Sequence, residues 1–302
     1  MTIKHQNKKI FAGYLFALGA TIIWSGNFLI ARGLHENIPP ITLAFFRWLV
    51  AVVIFLPFAY KALITEWNSL KNNTSYLLIT ALFGVSIFNT LIYFSAHTTT
   101  AINLSLIAIT FPIFIIILAR FFYGELISIG KGIGILLVTT GVLLLITNGD
   151  YSIILNISFA IGDIWMLIAA FVFAIYSLLI KRKPKELSIK AFLLSTFILG
   201  LIFLLPFYIW ENKTTPAVIF DSKIILSIFY VGIFASLIAF IFWNKAVNEL
   251  GPAKAGMIYY TLPVFSGFIA YIFLNEEIRS LDFYSMFLIV SGIIIANRER
   301  KT

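Results

Sequence analysis

Polar and apolar positions along this chain fall into long blocks. Ten apolar runs, near 10–31, 40–60, 75–95, 101–119, 130–147, 160–180, 189–210, 223–243, 254–274 and 281–296, are separated by short polar breaks. A helix needs roughly 20 such residues to cross the hydrocarbon core of a bilayer. Each run therefore predicts one membrane-spanning helix, and the chain reads as an all-α integral membrane protein. Lys4, Lys8 and Lys9 ahead of the first run give it the look of a secretory signal. The run is too long for a signal core, and Ile30-Ala31-Arg32 is a poor cleavage site, so it is expected to remain as the first span.

The blocks repeat. Pro112 and Pro263, Glu125 and Glu276, and Gly141 and Gly292 are all 151 residues apart. Gly13 and Gly162, and Pro57 and Pro206, are 149 apart, so about two residues are inserted within the second copy. This period is too long for a solenoid and predicts a duplicated membrane half, 1–147 followed by 148–302. With an odd number of spans in each half, the second copy is inverted in the bilayer.

Charge sets the orientation. Seventeen of the 22 Lys and Arg fall on one side of the ten-span arrangement, including Lys181, Arg182, Lys183, Lys185 and Lys190 between runs 6 and 7. Arg32, Lys213, Lys223 and Arg279 fall on the other side, and Arg47 lies within a span. The positive-inside rule puts both termini in the cytoplasm and requires an even number of spans. Composition agrees: 61% of residues are hydrophobic and 12% charged, against about 25% charged in a soluble domain. The net charge of +9 is confined to loops and ends, which argues against a nucleic-acid partner. Without cysteine there is no disulfide or thiolate metal site.

Trp24-Ser25-Gly26-Asn27-Phe28, Phe46-Arg47-Trp48, Thr100-Ala101-Ile102-Asn103 and the doubled Pro, Glu and Gly series carry a resemblance. Over about residues 10–297 the chain resembles an EamA-type member of the drug/metabolite transporter superfamily. The resemblance implies ten helices as two inverted five-helix repeats, with a central substrate cavity.

Candidate site residues follow from polarity at depth. Arg47 lies seven residues past Pro40, roughly 10 Å into the second span at 1.5 Å per residue. Its repeat counterpart is Thr196, so the halves differ here. A guanidinium offers a planar fork to a carboxylate; alternatively Arg47 snorkels or bonds helix-end carbonyls. With no mid-span carboxylate partner, it calls for a wet cavity at this depth. Asn27 shares a helix face with Trp24, and Ser86, Asn89 and Tyr93 form one polar stripe on the third span. Phe173 and Tyr176 occupy the repeat positions of Trp24 and Asn27. With Tyr259 and Tyr260 before Pro263, these aromatics either line a cavity or simply pack. Membrane asparagines also serve as interhelical glue. Pro112 and Pro263 each remove a backbone bond, so they are either paired hinges or shape the bundle. Glu125 and Glu276 are expected to cap the helix that follows each.

These features predict a carrier in the inner membrane, exporting small metabolites such as amino acids by alternating access, with no cofactor. The lipid bilayer and a small solute are its partners, and a homodimer is open to it. Two other readings stand beside this one. One is an intramembrane enzyme, with only His97 and Asp163 as chemical groups. The other is a carrier of a different solute class, nucleotide-like or drug-like.

Overall fold

A computed structural model describes residues 3–99, 101–108, 110–147, 149–156, 160–274 and 280–297. Glu276, expected to cap a helix, and Thr100 lie outside the described residues. Helices run over Ile3–Gly33 (α1), Pro40–Thr65 (α2), Thr74–Thr98 (α3), Ile129–Thr147 (α5), Ile161–Lys181 (α6), Ile189–Thr214 (α7), Ser222–Leu250 (α8) and Ser280–Asn297 (α10). Between α3 and α5, α4 comprises Ala101–Ala108 and Thr110–Tyr123. Between α8 and α10, α9 comprises Pro252–Tyr259 and Leu262–Leu274. Nine stretches among the described residues are long and apolar enough to cross a membrane. The tenth predicted span is α9, whose two pieces meet at a turn before Pro263.

The threonines ahead of the paired prolines make matching contacts. Thr110 Oγ1 donates to the carbonyl of Ile107, and Thr261 Oγ1 donates to that of Ile258, each at 2.7 Å. Each hydroxyl bonds a carbonyl three residues back, and each threonine stands two residues ahead of a proline that has no N–H of its own. A pair of irregularities lies in α3 and α8, where Leu82–Ile87 and Tyr230–Ile238 are wound as π-helix.

The packing obeys a two-fold relation between the repeats. Helices α2 and α7, α4 and α9, and α5 and α10 pack on their own counterparts. The α1–α8 contact has its mate in α6–α3, and α1–α9 has its mate in α6–α4. The repeats therefore interleave around one core. Their inversion is visible at the ends of α2 and α7. The backbone N–H groups of Ile41 and Thr42, at the start of α2, donate to Glu211 near the end of α7, at 3.1 and 2.6 Å. At the opposite face the N–H of Ser188, just before α7, donates to Glu66 beyond the end of α2, at 2.7 Å. Each helix ends where the other begins, so the two are antiparallel. A carboxylate at a helix start satisfies orphan donors and meets the positive end of the dipole.

Glycines let the outer pair close. A Cβ on Gly134 of α5 would sit 2.5 Å from the carbonyl oxygen of Gly292 in α10, and one on Gly141 would sit 2.8 Å from that of Ser285. Gly141 and Gly292 are the repeat landmarks, and close backbone approach is what membrane helix pairs use small residues for. The outer surface is apolar, with Phe121, Leu136, Leu226 and Phe287 exposed. Thr21, Asn27, Arg47, Asn89, Ser177 and Asn244 are enclosed instead, as a bilayer solvent favours.

Glu125 departs from expectation. The helix start it was expected to cap is served by Ser128, whose Oγ accepts the N–H of Lys131 at 3.2 Å. Gly124, at φ 65°, turns the chain, and Glu125 points instead to Lys181 at the end of α6 (2.8 Å), with Lys131 at 4.0 Å. In the α6–α7 linker, the Lys183 ammonium donates to the carbonyls of Pro184 and Leu187. Burial lowers its pKa, against the opposing pull of Glu66 and Glu186.

Candidate functional site

Arg47 sits where four helices meet. Residues Pro39-Pro40 open α2 and place Arg47 two turns in, facing inward between Phe46 and Trp48. Its side chain has 0% exposure. Nε donates to Ser236 Oγ in α8 at 2.6 Å. Nη1 donates to Asn89 Oδ1 and Tyr93 Oη in α3, both at 2.7 Å, with Asn27 Oδ1 of α1 at 3.4 Å. The guanidinium carbon also lies 5.4 Å from the Trp48 ring centre and 5.6 Å from that of Tyr93. Every hydrogen-bond partner is a neutral oxygen. An enclosed guanidinium surrounded by neutral acceptors is costly unless its donors are met, and Nη2 has no hydrogen-bond partner among the described residues.

Asn27, Arg47, Asn89 and Tyr93 thus come together, as their depth and polarity suggested. Arg47 neither snorkels nor bonds helix-end carbonyls. The wet cavity expected around it is closed in this structure, because Asn27, Asn89 and Tyr93 are buried with it. A cavity of about 410 Å³ lies elsewhere, between α4, α5 and α6, with apolar walls including Leu106, Ile107, Leu143 and Leu167 and with Asn103 and Asp163 in its lining.

The polar stripe on α3 is divided. Asn89 and Tyr93 face Arg47, whereas Ser86 Oγ donates to the carbonyl of Gly200 in α7 at 2.9 Å. Ser86 belongs to the π-helical segment, where the wider i→i+5 turn rotates it off the face that a 3.6-residue period assigns. Ser236, 150 residues on and so between the 149 and 151 offsets of the repeat, does reach Arg47. That correspondence was the available signal for Ser236, which the periodicity of α8 alone does not mark.

The remaining aromatics form a neighbouring cluster. Trp24 packs edge-on against Phe173 (5.3 Å between centroids) and lies 5.4 Å from Trp243 and 6.2 Å from Tyr259. Its Nε1 donates to the carbonyl of Ala235 at 3.0 Å. Tyr176 stacks on Phe173 and accepts a hydrogen bond from Asn244 Nδ2 at 3.0 Å. Trp243 and Asn244, in an otherwise apolar run, were not singled out from the sequence. Trp24, Tyr176 and Tyr259 are enclosed together, and Tyr260 is buried at the break in α9. Pro112 follows Phe111 in α4, and Pro263 is the second residue of the second α9 piece; the rings of Phe111 and Tyr259 join α4 to α9 at 4.6 Å.

Asp163 is a capping residue. Its carboxylate accepts from the backbone N–H of Ala160 (2.8 Å), from Asn103 Nδ2 (3.0 Å) and from the Thr99 hydroxyl. His97 lies at the C-terminal end of α3, its ring 6.0 Å from that of His35.

Known proteins resemble this chain along most of its length. An uncharacterized transporter of Archaeoglobus fulgidus is 27% identical over 279 residues, covering 90% of this chain and 91% of its own. The uncharacterized transporter YyaM of Bacillus subtilis is 24% identical over 285 residues, covering 94% and 93%. A solved crystal structure at 18% identity superposes with a TM-score of 0.74, covering 94% of this chain and 96% of that one, which shows a shared fold. Residues 11–147 and 160–298 each match the EamA-like transporter family. The multi-pass helical architecture and both repeats place this chain in the EamA-like transporter family.

Proposed function

We propose that this transporter carries small carboxylated metabolites, amino acids or related compounds, outward across the inner membrane by rocking the two repeats around the Arg47 site. The observation that carries the reading is Arg47 itself: a buried guanidinium between the repeats, ringed by neutral oxygens from α1, α3 and α8. A permanent charge at that depth is a functional hypothesis by default in a membrane protein. In this reading Asn27, Asn89 and Tyr93 orient the solute, and Trp24, Tyr176, Tyr259 and Tyr260 form the wall against its apolar part. Pro112 and Pro263 are the points at which α4 and α9 flex. Asp163 is engaged by its capping bonds, which supports a carrier over an intramembrane enzyme.

Flux of a labelled amino-acid panel through proteoliposomes tests the reading. At least one member is expected to leave loaded vesicles faster than from protein-free ones and to be recovered chemically unchanged. If no member moves, the substrate class is wrong; if a solute returns altered, the carrier reading is wrong. The orientation is tested separately, on the basis of the charge asymmetry. Reporters fused after Thr302 and near Lys183 are expected to read cytoplasmic, and one near Asp150 to read external. A cytoplasmic signal at Asp150 would contradict this orientation.

A further inference from the structure

The Nε–H and one Nη2–H of an arginine lie along the same edge of the guanidinium, and that edge takes both oxygens of a carboxylate in two parallel hydrogen bonds. In Arg47 this edge is only half used. Nε meets the Ser236 hydroxyl at 2.6 Å, and Nη2 has no hydrogen-bond partner among the described residues. The other nitrogen is committed, since the two hydrogens of Nη1 face Asn89 and Tyr93 at 2.7 Å. So the N-terminal repeat anchors one side of the guanidinium firmly. The C-terminal repeat holds the carboxylate-binding edge by a single neutral hydroxyl.

Ser236 is also tied to an unusual piece of backbone. Its hydroxyl donates to the carbonyl of Val231 at 2.8 Å, five residues back in the π-helical segment Tyr230–Ile238. Gly232 of the same segment is pressed on α2: a Cβ there would stand 3.0 Å from the carbonyl oxygen of Arg47 and 2.6 Å from the Val50 side chain. Short π segments inside α-helices are frequently found at functional sites.

We propose that the Nε–Nη2 edge of Arg47 is a carboxylate site, and that a carboxylate occupies it by displacing Ser236, so that binding breaks the hydrogen bond tying α2 to α8. The exchange balances without proton transfer. Arg47 stays protonated, the ligand arrives as an anion, and Ser236 keeps its own proton on the Val231 carbonyl. A bidentate charge-assisted pair is stronger than one bond to a neutral hydroxyl, which sets the direction of the exchange. Ligand binding and loosening of the repeat interface become one event. This rests on the carrier reading above and names the chemical class its site takes.

The test uses sodium acetate as the probe, with acetamide and ionic-strength-matched sodium chloride as controls, on the purified protein in nanodiscs. Thermal unfolding is followed against probe concentration, because a ligand bound only to the folded state raises its stability. Ser236→Ala removes the competitor and is expected to lower the half-saturating acetate concentration by about two- to tenfold. Arg47→Lys keeps the charge without the fork and is expected to raise it about tenfold. Acetamide is expected to act no differently from buffer. An unchanged midpoint in Ser236→Ala, an equal response to acetamide, or no acetate response in either protein would overturn the proposal. If acetate tightens in Ser236→Ala but the metabolite panel shows no flux, the carboxylate site stands and the substrate reading fails. If flux is present but acetate gives no response, the site fails and the carrier stands.

Discussion

Arg47→Gln is expected to lower flux of a carboxylated solute by roughly tenfold to a hundredfold while leaving the protein folded. A hydrogen bond to a charged partner contributes about 1.5–3 kcal/mol, and its loss translates into that range. Folding is expected to survive because the change removes the enclosed charge along with the donors. A glutamine amide keeps two N–H groups for Asn89 and Tyr93, and relief of the desolvation penalty offsets the lost bonds. Arg47→Lys is expected to fall between wild type and Gln, since an ammonium is a point charge without a fork. The decisive comparison is between a carboxylated solute and its amide analogue on monodisperse protein. Selective loss for the carboxylate assigns Arg47 to the ligand. Equal loss for both makes Arg47 an interhelical tie alone and refutes the ligand role.

Glu211→Ala is expected to destabilise the protein by about 2–4 kcal/mol, the largest stability effect foreseen for a single carboxylate here. Glu211 is 4% exposed and accepts three hydrogen bonds: from the backbone N–H groups of Ile41 and Thr42 and from the Thr42 hydroxyl at 2.8 Å. Alanine would leave these donors enclosed without an acceptor at the start of α2, the helix that carries Arg47. Glu211→Gln retains an acceptor and is expected to lose less. Glu66→Ala, which vacates the matching but partly exposed cap before α7, is expected to lose under about 1 kcal/mol. Thermal melts of the three variants in one detergent check the order. If Glu66→Ala proves as damaging as Glu211→Ala, burial is not what makes the Glu211 cap matter.

The spans and the repeat were legible because the bilayer imposes them on the sequence. Long apolar runs, lysine and arginine on one side, and landmarks recurring at 149 and 151 residues are one-dimensional records of where the chain meets lipid, water and its own copy. Arg47, Asn27, Asn89 and Tyr93 could be picked out for the same reason, since a polar group at depth is expensive in any fold. What each of them touches was decided in three dimensions. The bond from Arg47 to Ser236 joins residues 189 apart, and that from Thr42 to Glu211 joins residues 169 apart. Neither separation has a periodicity that could announce it. Ser86 turned away from Arg47 because a π-helical stretch breaks the 3.6-residue period from which its direction was read. Glu125 found Lys181 because Gly124 redirects the loop and Ser128 already serves the helix start. The wet cavity expected at Arg47 is closed because neutral oxygens from three other helices converge on the guanidinium, and that convergence exists only once the two repeats have interleaved. Membrane solvation, written residue by residue, determined which side chains are enclosed; their pairing waited on the tertiary structure, because hydrogen bonds depend on distance in space rather than along the chain.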